Sequence, residues 1–152
     1  MPLDPSFIGR VYPPTAVFEV GREKIREFAD AIGDPEPTYR DAAAAQALGH
    51  RDAMAPPTFL TGMSLEACHK VTDDPELGLD WSRVVHGDQK FQYHRPAYAG
   101  ESLEVEVTVD NIKSMAGNDM LNLRAEVRSV DGEPVVTVLT LLVARAAAEE
   151  GA

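Results

Sequence analysis

Apolar and polar residues alternate along the second half of the chain. The alternation runs through residues 104–109 and 121–128, with valine, leucine and alanine on one side and mostly charged side chains on the other. A period of two is typical of strands that bury one face. Residues 135–143 form a longer apolar run, which contains Thr137 and Thr140 and is typical of a buried strand. Turn-forming residues at 116–119 and 131–132 separate these stretches, and Asp-Gly is a strong hairpin signal. The pattern predicts an antiparallel meander.

A further strand is predicted before this meander. Phe91 and Tyr93 alternate with polar neighbours, and Pro96 and Gly100 then mark a turn or bulge. The strand-forming part of the chain therefore begins near Arg83 and holds three or four long strands.

The first half of the chain follows a helical period instead. Residues 22–32 show the i, i+3, i+4, i+7 spacing of one apolar helix face, and Gly33 is a natural C-terminal stop. Residues 34–41 contain two prolines and are predicted to form a loop. Asp41 can cap a short helix over 42–48.

A third helix is predicted to form the centre of the fold. Leu60, Met63, Ala67 and Val71 lie along one face of the segment Pro57–Val71, and proline is tolerated in a first helical turn. A broad apolar face indicates a helix that is wrapped by other structure. Helices followed by long strands favour an α+β fold, in which a curved antiparallel sheet wraps around this helix.

Length and composition predict one domain over residues 1–152, with a small acidic tail that frays from about residue 146. Cys68 is the one cysteine, so no internal disulfide can form, which fits a reducing cytosol. Residues 1–10 show no signal peptide, and no stretch reaches the roughly 20 apolar residues of a membrane span. We expect a cytoplasmic protein that is not inserted in a membrane.

Charge excludes some partners. With 25 acidic and 14 basic residues the net charge is −11, which disfavours nucleic acid. An acidic carrier protein would need a local basic patch or a second subunit to bind here.

The four histidines show no metal spacing and there is no glycine-rich phosphate loop. We expect neither a metal nor a cofactor.

The segment Gly33–Asp41 carries the most specific chemistry. It keeps the frame of the motif Gly-Asp-x-Asn-Pro-x-His-x-Asp, which adds or removes water across an acyl-thioester double bond. Asp34 stands in register, but Glu36 replaces the asparagine and Tyr39 replaces the histidine. The structural alternatives are that Asp34 caps a turn and that Tyr39 is a packed loop tyrosine.

Over residues 18–145 the chain resembles the hot-dog-fold MaoC-like dehydratases and (R)-specific enoyl-thioester hydratases. It is most similar to their N-terminal-type halves, including the mycobacterial HadA-type subunit. The stretches that carry this resemblance are Arg22-Glu23-Lys24-Ile25-Arg26-Glu27-Phe28, Ala55-Pro56-Pro57-Thr58-Phe59, Asp88-Gln89-Lys90-Phe91, Arg95-Pro96 and Ala99-Gly100-Glu101.

The resemblance implies an incomplete catalytic site. In the family the motif Asp and His move the proton of water, and here those positions are Asp34 and Tyr39. Tyrosine, with a pKa near ~10, is a poor base at neutral pH. The family's His-Gly pair at the start of the central helix falls on Pro56 and Pro57. Proline has no N–H, so the usual amide contact to the thioester oxygen is lost at Pro57.

The resemblance therefore implies a subunit that binds acyl chains and acts with a sister hot dog that keeps the full Asp/His motif. The sister would dehydrate a (3R)-hydroxyacyl thioester carried on acyl carrier protein or CoA. Candidate pocket residues in this chain are Phe59, Met63, Phe91 and Tyr93, and His86 could reach a pocket mouth or subunit interface.

Three other functions stay open at this point. One is a self-sufficient hydratase or dehydratase homodimer in which Asp34 works with Tyr39 or His86. Another is a non-enzymatic acyl-thioester binder or scaffold, and the last is a thioesterase. Fold alone does not separate them. Homodimers of the isolated chain are also expected, because a lone hot dog exposes a sheet edge.

Overall fold

Six antiparallel strands and three helices make up the computed structural model, which describes residues 2–145. The predicted fraying tail lies outside the described residues. The strands are β1 (Val11–Tyr12), β2 (Phe18–Glu19), β3 (Val84–Tyr93), β4 (Ser102–Met115), β5 (Asn118–Ser129) and β6 (Pro134–Ala144). The helices are α1 (Arg22–Ala31), α2 (Ala42–Ala47) and α3 (Thr61–Thr72), with short 3₁₀ turns at Pro5–Phe7, Pro37–Tyr39 and Trp81–Arg83.

The long strands form the predicted meander. The sheet order is β1-β4-β5-β6-β3, and β2 also pairs with β4. Every second residue is buried along β5 and along β4 as far as Val109, as the period of two requires, and a register shift between Val109 and Asn111 then interrupts the pattern in β4. The helix α3 lies against β4 and β5, so the curved sheet covers the helix on its apolar side. The α+β architecture predicted from the sequence is confirmed.

One core joins the helices to the sheet. Its largest fully buried side chains include Phe7, Ile25, Leu60, Val71, Leu103, Leu121 and Leu123. They come from both halves of the sequence, so helices and sheet stabilise one another. Burying a side chain of this size contributes roughly 1.5–3 kcal/mol.

The central helix begins later than predicted. The helix α3 starts at Thr61 rather than at Pro57, because the segment before it forms single turns. In these turns Phe59 N–H donates to the Pro56 carbonyl at 3.0 Å, and Thr61 N–H donates to the Thr58 carbonyl at 3.1 Å. Such i→i+3 bonds tighten the chain more than an α-helix does.

The turn region 34–41 and the start of the chain also differ from expectation. The turn at Pro37–Tyr39 is a 3₁₀ turn inside the predicted loop. The strands β1 and β2 were not predicted, because each has two residues and no period can be recognised over that length. Both are held by pairing with β4.

A backbone latch fixes the segment that leads to α3. Ala55 N–H donates to the Ala97 carbonyl at 2.8 Å, and Ala99 N–H donates to the Ala53 carbonyl at 2.9 Å. All four alanines are buried. The prolines that follow Ala55 are therefore held against the turn between β3 and β4.

Candidate functional site around Tyr39

The loop after α1 is built by its own turn chemistry. Gly33 has a φ of +70°, a left-handed conformation that glycine adopts without strain. The carboxylate of Asp34 then accepts a hydrogen bond from Glu36 N–H at 3.1 Å. The carboxylate of Glu36 in turn accepts one from Thr38 N–H at 3.4 Å. Both acids thus cap turns and lead the chain to Tyr39.

Tyr39 lies inside the protein. Its exposed fraction is 7 %, and it belongs to the hydrophobic core. Burial raises the pKa of the Tyr39 phenol, and the negative charges of Asp34 and Glu36 raise it further. The phenol therefore stays protonated at neutral pH and can donate a hydrogen bond, but it is no base.

An arginine holds the loop from the other side. The guanidinium of Arg40 donates to the backbone carbonyl of Asp34 and pairs with the carboxylate of Asp30. The positive charge of Arg40 is thus paired with Asp30 of α1, and its guanidinium also binds the loop backbone at Asp34. Asp34 itself is half-buried, and its carboxylate has a structural partner in the backbone of Glu36.

The second side of the site is Pro57. Its nitrogen carries no hydrogen, so it cannot donate to a substrate oxygen. Its carbonyl accepts a hydrogen bond from the Tyr93 hydroxyl at 2.7 Å. The end of β3 is thereby joined to the segment before α3.

Tyr39 lies close enough to Tyr93 to affect its pKa. The pKa of Tyr93 is raised to about 12, first by burial and then by the nearby Tyr39 phenol. The structure thus groups Asp34, Tyr39, Pro57 and Tyr93 around one point. The sequence singled out these residues from separate motifs, and the fold brings them together.

An apolar groove of about 380 Å³ opens beside this group, between α1, β2 and the start of α3. Of the predicted pocket residues, Phe59 and Met63 line it. Phe59 also packs edge-to-face on Phe28, with ring centres 5.6 Å apart. The remaining lining residues, which the sequence analysis did not assign to a pocket, are Phe18, Glu19, Val20, Lys24, Glu27, Phe28 and Ala31.

Phe91 and Tyr93 lie elsewhere. Their rings stack on one another with centres 6.3 Å apart, and neither lines the groove. Tyr93 contacts the site through its hydrogen bond to the Pro57 carbonyl, and Phe91 packs against Tyr93.

His86 stands apart from the other predicted site residues. It lies near the start of β3, about 20 Å along the strand from Tyr93. It lines a different cleft of about 320 Å³ with His69, Trp81 and Leu142. Within one chain His86 does not meet Asp34, so a pairing of the two would need a second subunit.

The strand arginines have partners. Arg95 binds Glu101 through two bonds of 2.6 and 3.0 Å, and Arg124 and Arg128 each pair with a carboxylate at 2.9 and 2.8 Å. Hydrogen bonds and charges from these carboxylates raise the pKa of all three guanidinium groups. Arg83 pairs with Asp80 at 2.9 Å. These ion pairs leave the arginines poorly placed to receive phosphate groups.

Fold and site together define a hot-dog protein, with one sheet wrapped on a central helix and a polar loop between α1 and α2. The model of the family described as "FAS1-like, dehydratase domain region" matches residues 6–138. The chain therefore belongs to this family, among the MaoC-like hot-dog dehydratases. In the described residues, no helix is long and apolar enough to cross a membrane.

Known proteins are similar to this chain over most of its length. A UPF0336 protein of Streptomyces coelicolor is 62 % identical, and the match covers 98 % of this chain and 99 % of that protein. The HadBC (3R-hydroxyacyl-ACP dehydratase) complex of Mycobacterium tuberculosis includes a chain that is 29 % identical, with a TM-score of 0.83, covering 90 % of this chain and 96 % of that one.

A solved MaoC-like dehydratase is 32 % identical with a TM-score of 0.86. It covers 93 % of this chain, which spans 43 % of that longer one. These similarities support a hydroxyacyl dehydratase-like role.

Proposed function

We propose that this chain is the HadA-like, acyl-chain-binding subunit of a heteromeric (3R)-hydroxyacyl-thioester dehydratase in fatty-acid metabolism. The substrate is an acyl thioester of acyl carrier protein or CoA. A sister hot-dog subunit with an intact Asp/His motif performs the dehydration. Its product is the trans-2-enoyl thioester. The cytosol remains the compartment that the sequence predicts.

The state of Tyr39 carries this proposal. A catalytic base must give up its proton near neutral pH, whereas burial and two nearby carboxylates keep the Tyr39 phenol protonated. At the other side of the site Pro57 has no N–H, and its carbonyl is bound by Tyr93. Neither proton transfer nor the amide contact is supported by these residues.

The apolar groove supports a role in binding. Its lining is mainly aromatic and aliphatic, with Phe28, Phe59 and Met63 at its wall. Lys24 and Glu27 are among the polar lining residues. A groove of about 380 Å³ is within the range of small-ligand sites, and an acyl chain is the ligand that such a lining favours.

The likeness to a chain of the HadBC complex supports a sister subunit, since that dehydratase is described as a complex of two named subunits. The charge of −11 also favours a partner, because an acidic carrier protein would be repelled by this chain alone. A sister with a basic surface beside the shared site would bring the carrier to it.

The first experiment measures hydration of crotonyl-CoA by the purified chain, by a sister chain from a neighbouring reading frame with an intact Gly-Asp-x-Asn-Pro-x-His motif, and by their mixture. We expect negligible turnover by this chain and strong turnover by the mixture. Robust turnover by this chain alone, abolished by Asp34→Asn, would refute the proposal and favour the self-sufficient homodimer.

A second experiment tests the two missing groups. Tyr39→His supplies a base but leaves Pro57 in place, so we expect it to remain inactive alone. If this single change creates a good hydratase, the amide argument is wrong.

The groove is tested by filling it. Ala31 lines the groove near the surface, so Ala31→Trp should lower turnover of long acyl thioesters by the mixture at least tenfold and spare crotonyl-CoA. Ala47→Trp, on the exposed end of α2 outside the groove, is the matched control. Equal loss on short and long substrates would contradict acyl binding in this groove.

A further inference from the structure

Two walls of the apolar groove are attached to one short turn. The first wall is formed by β2 and Val20, and the second by Phe59 and Met63 at the start of α3. The turn consists of residues 97–101, which lie between β3 and β4, and we call it the groove turn. Because both walls are bonded to it, its shape determines how far apart they stand.

The wall at β2 is bonded to the second half of the groove turn. Val20 N–H donates to the Glu101 carbonyl at 2.8 Å, and Gly100 N–H donates to the Val20 carbonyl at 2.8 Å. Gly100 has a φ of +87°, which glycine adopts without strain. Residues 18–19 of β2 then pair with residues 102–103 at the start of β4. A strand of two residues follows the backbone that it pairs with, so the turn positions this wall.

The wall at α3 is bonded to the first half of the same turn. The backbone latch joins residues 53–55 to residues 97–99 through two hydrogen bonds of 2.8 and 2.9 Å. Phe59 follows Ala55 by four residues, and its N–H donates to the Pro56 carbonyl at 3.0 Å. Pro56 and Pro57 each fix their own φ, which stiffens this link. The position of Phe59 therefore depends on the turn as well.

A buried ion pair closes the groove turn on itself. The carboxylate of Glu101 accepts a hydrogen bond from Tyr98 N–H at 2.8 Å. The guanidinium of Arg95 binds the same carboxylate through its two bonds of 2.6 and 3.0 Å and also donates to the Pro96 carbonyl at 2.8 Å. The side chains of Arg95 and Glu101 are only 14 % and 12 % exposed. A bidentate charge-assisted pair is strong and fixes geometry.

We propose that Arg95 and Glu101 are positioning residues that set the width of the groove and thereby its preference for long over short acyl chains. This inference rests on the proposed function, because it takes an acyl chain as the ligand of the groove. Both residues act through the turn, since the lining consists of other side chains. Dispersion contacts weaken steeply with distance, and a gap of about 0.5–1 Å forfeits roughly a quarter to a half of each one.

The preference is measured by titration calorimetry of the purified full chain with octanoyl-CoA and with butyryl-CoA. The ratio of the two dissociation constants isolates the acyl chain, because the CoA group is the same. Glu101→Gln removes the charge of the pair and keeps the size of the side chain. We expect the preference for octanoyl-CoA to fall about tenfold, as when contacts to roughly two methylene groups are lost. Arg95→Lys keeps the charge but loses the fork, and should lower the preference as well.

Two control variants separate positioning from stability. Glu133→Gln removes a different carboxylate from Arg95, which it binds at 2.9 Å from outside the groove turn. Thr72→Val removes a buried hydrogen bond of α3 at a residue that does not line the groove. Both should leave the preference unchanged, and circular dichroism verifies that every variant is folded.

The outcomes distinguish this inference from the proposed function. An unchanged preference in folded Glu101→Gln and Arg95→Lys, or an equal fall in Thr72→Val, would overturn the positioning role. Tight binding of octanoyl-CoA by the wild type would still support acyl binding in that case. A wild-type chain with no preference for octanoyl-CoA over butyryl-CoA would overturn both proposals.

Discussion

The hydrogen bond from Tyr93 to Pro57 predicts a specific pH dependence of stability. In Tyr93→Phe the ring remains and only the hydroxyl is lost, so the variant isolates this contact. At pH 8 the phenol is protonated in both folded and unfolded chains. The variant then lacks one neutral hydrogen bond, which is worth about 1 kcal/mol of the free energy of unfolding.

The difference shrinks at alkaline pH. The folded pKa of Tyr93 is about 12, against about 10 in an unfolded chain. Stability from the protonated phenol is therefore complete below pH 10 and is lost between pH 10 and 12. At pH 11 ionisation of the unfolded chain costs the wild type about 1.4 kcal/mol. Partial exposure of the ring reduces this to about 1 kcal/mol.

Wild type and Tyr93→Phe should therefore differ by about 1 kcal/mol at pH 8 and be nearly equal at pH 11. Urea unfolding followed by the fluorescence of Trp81, at pH steps between 8 and 11, measures both curves. A difference that stays at about 1 kcal/mol throughout would refute the link between Tyr93 burial and its pKa.

Three further changes test the packing around the site. Ser64→Ala should raise the free energy of unfolding by about 1 kcal/mol, since the buried hydroxyl has no partner. Thr72→Val should lower it by about 1 kcal/mol, because that hydroxyl bonds the carbonyl four residues before it. Glu101→Gln should cost about 2 kcal/mol, since the Arg95–Glu101 pair is largely buried. Cys68, with a pKa raised to about 12 by burial, should resist thiol reagents at pH 8 until urea unfolds the chain.

Urea midpoints measure the effect of the three substitutions, and a colorimetric thiol assay measures the reactivity of Cys68. A destabilised Ser64→Ala would mean that the hydroxyl binds a group inside the protein. Rapid labelling of native Cys68 would contradict its burial.

The long elements could be predicted from local pattern. Alternation identified β4 and β5, a long apolar run identified β6, and the apolar stripe gave α1 within one residue of its end. The hairpin at Ala116–Gly117 followed from turn chemistry, and both residues have positive φ. Only two residues make each of β1 and β2, so their existence depends on β4 and not on their own sequence.

The site could be predicted in its parts but not in its geometry. A motif frame located Asp34 and Tyr39, and a second motif located Pro57. The contact between Tyr93 and Pro57 joins residues 36 positions apart, and no local pattern reports such a contact. Of the nine residues that line the groove, only Phe59 and Met63 were predicted, because Phe28 was assigned to a helix face and Phe18 lies in a strand too short to recognise.

The alanine latch between residues 53–55 and 97–99 has a consequence for how such proteins diverge. Its hydrogen bonds run between backbone groups, so the only sequence requirement is a small side chain at each of the buried positions 53, 55, 97 and 99. The loop residues 36, 39 and 57 can change their chemistry while the frame around them keeps its shape. A duplicated copy of an enzyme could in this way lose its catalytic base through a few substitutions and still keep the groove that binds an acyl chain.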